Sequence, residues 1–198
     1  MIPKSPPHRA ARPSLRTVAT TLGFLMATTA ATLPTPSSAQ QSPTPPADPP
    51  DVESIDAIVT ALYEVISGDA GEARDWDRFL SLFVPGGTLS PVGRPQGEST
   101  YRRRVITPDE YAEGIGQSLE ASGFHEVEIH QVTEQYGMIA HAFSTYESRR
   151  QASDPEPFAR GINSIQLMND GSRWWVVSIF WLGEGPDHPI PAKYLPGG

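Results

Sequence analysis

The chain contains no cysteine among its 198 residues. A disulfide framework, a lipid attached through a cysteine and a cysteine nucleophile are all excluded. Positive charge is also short, with 15 Lys and Arg against 23 Asp and Glu and a formal net charge of −8. Nucleic acid and anionic lipid both need a basic surface, so neither is expected as the main partner. The sequence holds no P-loop, no dinucleotide fingerprint and no Gly-x-Ser-x-Gly elbow, and no cofactor is expected on that basis. No metal is expected either, because His125 and His130 have opposite strand parity and no His/Asp/Glu triad shares an inward face.

Long apolar runs are scarce, and the run at residues 17–33 is interrupted by threonines and followed by Pro34. That is poor material for a membrane span of about 20 residues. Lys4, Arg9, Arg12 and Arg16 precede the run, and Ser37-Ser38-Ala39 follows it. A basic leader, an apolar stretch and small residues are the three parts of a secretory signal. The expectation is a signal peptide over 1–39, cut near Ala39, with export to the periplasm or medium and no stable membrane insertion afterwards. Cleavage would remove four positive charges and no negative one, leaving the remainder more acidic still.

Residues 40–50, QQSPTPPADPP, are proline-rich and read as a disordered tether. The folded domain is expected over 51–185, with an extended tail over 186–198. About 150 residues suffice for one domain with a sizeable core.

Within that domain, Ile55, Ile58, Val59, Leu62 and Ile66 recur at helical spacing, which predicts a helix over 53–67. A second helix is predicted over 75–83, striped by Trp76, Phe79, Leu80 and Phe83 and stopped by Pro85-Gly86-Gly87. Short strands are predicted at 88–92 and 100–106. Thr107-Pro108-Asp109-Glu110 offers an N-cap, a proline at the first helical position and a capping-box glutamate. The third helix should therefore start there and run to about Ala121. Beyond it the period becomes two, predicting strands at 125–134, 137–148, 158–169 and 173–182. The last of these alternates Trp175, Val177, Ile179 and Trp181 against Trp174, Val176, Ser178 and Phe180. Both faces are apolar, so the strand should be central and covered on both sides. The fold class is α+β, with helices covering one face of a curved sheet.

The phrases IDAIVTALYEVISGD, DWDRFLSLFVPGGTLSPVG and INSIQLMNDGSRWWVVSIFW resemble the nuclear transport factor 2-like superfamily, which includes ketosteroid isomerases, limonene epoxide hydrolase and SnoaL-like polyketide cyclases. The resemblance spans about residues 53–183. It implies a cone-shaped curved antiparallel sheet wrapped on three helices (a cystatin-like α+β barrel), an apolar pocket at the open end, and a homodimer through the outer sheet face. In ketosteroid isomerases a carboxylate base precedes the Pro-Val-Gly phrase; here Ser90 precedes Pro91-Val92-Gly93. A serine without a neighbouring base cannot take a proton from carbon at neutral pH. The same enzymes hold a protonated aspartic acid eight residues before the glycine of the last turn, a system that serves as a standard example of pKa tuning. That count from Gly171 reaches Asn163, whose amide donates a hydrogen bond without any raised pKa. Tyr63 is the candidate match to the family's donor tyrosine.

Strand parity assigns an inward polar set of His125 and Gln131 with Val127 and Ile129, His141 with Ile139 and Phe143, and Asn163 with Ile165 and Leu167. The plainer meaning is that each is satisfied by a neighbour inside the fold. Arg102-Arg103-Arg104 reads as a charged edge strand, and Trp174, Trp175 and Trp181 as core or interface. The candidate ligand-binding residues are thus Asn163, His141, Gln131, Tyr63 and Trp76. The first expectation is a module that holds a small apolar molecule, with Asn163 and His141 orienting it. The alternative is an isomerase, cyclase or hydratase with His141 as base and Asn163 as oxyanion donor; a purely structural dimerisation domain is the third reading.

Overall fold

The computed structural model describes residues 44–198. The expected signal peptide lies outside them, as does the start of the tether. The end of that tether is ordered: α1 (Pro49–Val52) begins two residues before the expected domain boundary, and Ala47 packs against the core.

Helix α2 (Ile55–Ile66) is capped by the Ser54 hydroxyl, which accepts from the Ala57 N–H at 3.0 Å. Its stripe buries Ile58, Val59, Leu62 and Val65. Asp75 caps α3 (Trp76–Ser81), whose Phe79 continues the same core. Helix α4 (Pro108–Ser122) carries the full capping box. Thr107 Oγ1 accepts from the Glu110 N–H at 3.1 Å, and Glu110 Oε2 accepts from the Thr107 N–H at 2.9 Å. Pro108 has no N–H to satisfy, so the capping box meets two of the three remaining orphan N–H groups of that helix end.

Six strands form one curved sheet in the order β2-β1-β6-β5-β4-β3. They are β1 (Phe83–Gly93), β2 (Arg102–Arg103), β3 (His125–Tyr136), β4 (Ile139–Arg149), β5 (Ala159–Asn169) and β6 (Trp174–Gly183). The sheet is mixed rather than antiparallel throughout, because β1 runs parallel to β6. The chain between them includes α4 and two hairpins, ample length for a parallel crossover. The turn expected to separate α3 from its strand is instead a register break inside β1, between Phe83 and Thr88. The predicted strand at 100–106 shrinks to two exposed arginines paired with Val92 and Gly93.

Two further register shifts decide which side chains reach the interior. One lies between Glu128 and His130 in β3, the other between Gln166 and Leu167 where β5 meets β6. An extra residue at a bulge exchanges the two faces beyond it. In β6, Trp174 and Val176 are buried before the bulge and Ile179 after it, so the strict alternation expected from the sequence fails at Val177. As expected, β6 is central, between β1 and β5.

The tail does not stay extended. A 3-10 turn at Ala192–Tyr194 lies on the outer sheet face, where the Tyr194 carbonyl accepts from Thr145 Oγ1 at 2.7 Å and the Tyr194 ring meets Phe143 edge to face at 4.9 Å.

Candidate functional site

On the concave side, between α2, α4 and strands β1 and β3–β6, lies a cavity of about 270 Å³. Its wall is largely apolar and includes Leu62, Phe79, Leu89, Ile165 and Trp181. The polar groups at its wall are Tyr63, Glu126, Ser148 and Asn163, with Tyr111 and Tyr146 beside them.

Asn163 enters the cavity from β5 as strand parity predicted. It is 9 % exposed, and its Nδ2 donates to the Tyr63 hydroxyl at 3.0 Å. Tyr63 comes from α2 and is buried too, bonding through its hydroxyl to Ser144 Oγ at 2.6 Å. Ser144 Oγ in turn donates to the Glu128 carboxylate in a short contact. The proton order follows. Ser144 has one hydrogen and gives it to Glu128, so Tyr63 donates to Ser144 and receives from Asn163. Burial pushes the Tyr63 hydroxyl well above the ordinary tyrosine pKa, despite the hydrogen bonds to Ser144 and Asn163 that pull it down.

The other predicted residues lie elsewhere. His141 is on the outer face, its Nε2 2.9 Å from Ser164 Oγ, because the inward residues of β4 are Ala140, Ala142, Ser144, Tyr146 and Ser148. The expected anchor Ile139 is 60 % exposed. His125 sits at a strand end with Nε2 2.9 Å from Asp69 Oδ1. Gln131 does face the helices, but its Nε2 donates to Asp56 and Thr133 and it is not part of the cavity wall. Trp76 braces the cavity from behind, edge to face with Phe79 at 5.6 Å and with Tyr111 at 6.4 Å. Ser90 is buried beside Phe180 in the pairing of β1 with β6, and its neighbour Leu89 takes the cavity position.

The residue that sequence reasoning missed is Glu126. An inward set of Val127 and Ile129 would turn it to solvent, yet Val127 is 46 % exposed and Glu126 lines the cavity. Ser148 Oγ donates to its carboxylate at 2.8 Å. Burial pushes the Glu126 carboxyl up to about 7, with the Ser148 and Asn163 hydrogen bonds pulling the other way. Burial also raises the hydroxyls of Tyr111 and Tyr146, and the negative charge of Glu126 adds to both shifts. No local signal in the sequence marks Glu126 as inward. Pairing Tyr136 with Ile139 across Gly137-Met138 and counting back sets the inward parity of β3, but only as far as the bulge at Ile129. Among the described residues, no group of three or more His, Asp and Glu side chains is placed to hold a metal ion.

No family model and no curated protein sequence matches the chain. Solved structures do resemble it. A protein of unknown function with a cystatin-like fold from Nostoc punctiforme aligns with a TM-score of 0.49 at 12% identity, over 69% of this chain and 92% of its own. An NTF-2 like protein of unknown function from Silicibacter pomeroyi aligns at 0.46 and 16% identity, over 67% and 94%. An NTF2-like protein of unknown function from Shewanella baltica aligns at 0.41 and 13% identity, over 65% and 89%.

Proposed function

We propose that this is an exported protein that binds a small, largely apolar molecule inside the cone, with the molecule's polar end between Asn163 and Glu126. The observation that carries the reading is the cavity itself, apolar over most of its wall with a few polar groups converging at one place. Sites for small molecules ordinarily take that form. By liquid volume the space corresponds to about nine water molecules, which suits a compact ligand rather than a polymer. Export rests on the basic and apolar leader of residues 1–39. A homodimer through the outer sheet face belongs to the same reading, supported by Val132 and Phe180, which are 40 % and 46 % exposed. The segment around Tyr194 limits such contact to the part of that face it leaves uncovered.

A second reading, an isomerase, cyclase or hydratase, has a specific observation in its favour, although not the one expected. His141 is turned away from the cavity, but Glu126 supplies a carboxyl that is held near neutrality by burial. A group with a pKa near the working pH is the most effective proton carrier.

A thermal-shift screen of neutral and charged small molecules tests the first reading, run on the full chain and on Ala159→Phe, which narrows the cavity. A compound that raises the Tm of the wild type and not of the variant supports it. If no compound distinguishes the two proteins, the cavity reading fails. Turnover of a bound compound, lost in E126Q while binding persists, would favour the second.

A further inference from the structure

The cavity pairs an aromatic wall with one carboxyl group and no base. Phe79, Tyr111, Phe124, Tyr146, Phe158 and Trp181 all contribute to the wall, and no Lys, Arg or His does. Glu126 takes part in none of the ion pairs among the described residues. A desolvated carboxylate with no counter-ion is an unfavourable arrangement in an empty fold, since the charge has lost water and gained nothing of opposite sign. Aromatic faces carry negative quadrupole density and attract cations, more strongly when water is excluded.

Hydrogen-bond bookkeeping points the same way. Several donors near the polar end already have protein acceptors: Ser148 to Glu126, one Asn163 N–H to Tyr63, Tyr63 to Ser144, and Ser144 to Glu128, while the Asn163 amide also bonds to Glu126. The hydroxyls of Tyr111 and Tyr146 make no hydrogen bond among the described residues, and each can accept from a ligand or turn its own O–H to Glu126 or to a ligand oxygen. The ionised Glu126 carboxylate is the one group there that can only accept, and a ligand bringing several N–H donors meets it better than one bringing a carbonyl or an anion.

We propose that the cavity takes a small organic cation, an arylalkyl- or alkylammonium whose nitrogen lies against the Glu126 carboxylate and whose apolar part lies along the aromatic wall. The proposal rests on the binding reading above and supplies its ligand class. The groups that face Glu126 are Tyr63 from α2, Tyr111 from α4, Tyr146 and Ser148 from β4, and Asn163 from β5. On its own strand, Glu128 is turned to Ser144 and His125 to Asp69. The Arg150 guanidinium lies 4.2 Å over the ring of Phe158, a residue of the cavity wall, and donates to Ser122 Oγ at 3.1 Å. It already uses one aromatic face of this wall to hold a positive charge.

Three probes of one skeleton separate the alternatives: phenethylammonium, 2-phenylethanol and phenylacetate. Their affinities for the full chain are measured by calorimetry or NMR titration from about pH 6 to about pH 8. The ammonium should bind tightest, and its affinity should rise about tenfold over that range, as expected for a ligand that binds the ionised form of a group titrating near 7. E126Q should weaken the ammonium and remove the pH dependence, with a smaller loss for 2-phenylethanol, whose hydroxyl carries no charge to pair with residue 126. Tighter binding of the alcohol or the phenylacetate, or ammonium affinity that falls with rising pH, overturns the proposal while the cavity keeps its role as a binding site. If none of the three binds at any pH, the cation proposal fails, and the general binding reading then stands or falls on its own screen. The wild-type pH profile decides the matter even if E126Q folds poorly.

Discussion

Asn163 Nδ2 donates to the Tyr63 hydroxyl at 3.0 Å across 100 residues of sequence. That bond joins the central part of the sheet to α2, and both side chains are buried. Removing the Tyr63 hydroxyl strands the Asn163 N–H and breaks the bond to Ser144, and removing Asn163 takes from the Tyr63 oxygen the one donor it accepts from; such losses at buried polar groups cost about 1–3 kcal/mol. Asn163→Ala should therefore lower stability by about that amount, and Tyr63→Phe similarly. The two should not add. In a double-mutant cycle by urea unfolding, a coupling energy of about 0.5–1.5 kcal/mol is expected, and strict additivity would mean that the bond contributes nothing.

Glu126 gives a pH dependence of known sign. Its folded pKa, about 7, lies above the ordinary carboxyl value of 4.5, so the folded state holds the proton more tightly than the unfolded chain. Stability from this group is present in full below the unfolded pKa and is lost as pH rises towards 7, at most about 3 kcal/mol in all. Glu128 is shifted in the same direction, burial again being the largest cause, while Asp170 is lowered by hydrogen bonds from Ser172 and Trp175 and its contribution changes only below the ordinary aspartate range, outside this interval. Wild type should be more stable at pH 5 than at pH 8, and E126Q should flatten most of that difference. Denaturant midpoints at the two pH values check it, and an unchanged slope in E126Q assigns the effect to other groups.

The helices were legible in the sequence because their signals are local. The Thr107 capping box and the stripe of Ile55, Ile58, Val59, Leu62 and Ile66 need no knowledge of the rest of the fold. Asn163 was legible too, since β5 keeps its alternation through Ile165 and Leu167. The site was otherwise lost at the bulges. One extra residue at Ile129 and another at Val177 exchange inward and outward faces, and neither carries a glycine or proline to announce it. His141 was misassigned for a different reason. Ile139 and Phe143 look like core residues, but β4 turns small and polar residues, Ala140, Ala142 and Ser144, towards the tightly packed α2. Periodicity finds the two faces of a strand but does not say which of them is inside.

The C-terminal segment behaves as part of the domain. The Tyr194 carbonyl takes the hydrogen bond of the fully buried Thr145, and Ile190 is 9 % exposed. Deleting residues 186–198 would strand the Thr145 hydroxyl and uncover Phe143. The lost hydrogen bond and apolar burial together should cost about 2–4 kcal/mol. Calorimetry of the truncated chain should give a clearly lower Tm, with dye binding to the uncovered face; an unchanged Tm would make the segment dispensable.

Gly116 sets two ordinary rules against each other. In mid-helix, replacing glycine by alanine normally stabilises by about 0.5–1 kcal/mol. Here a Cβ at residue 116 would stand 2.8 Å from Trp76 Cζ2, closer than two carbons can approach. Trp76 cannot simply rotate away, since its ring is wedged against Phe79 and Tyr111. Overpacking of this kind costs about 1–3 kcal/mol, so the contact outweighs the propensity. Gly116→Ala should lower the Tm and change Trp76 fluorescence, whereas Gly114→Ala, on the same helix with nothing within 4 Å, should raise it slightly. Equal and stabilising effects at both positions would show that α4 and α3 are less tightly packed than this geometry requires.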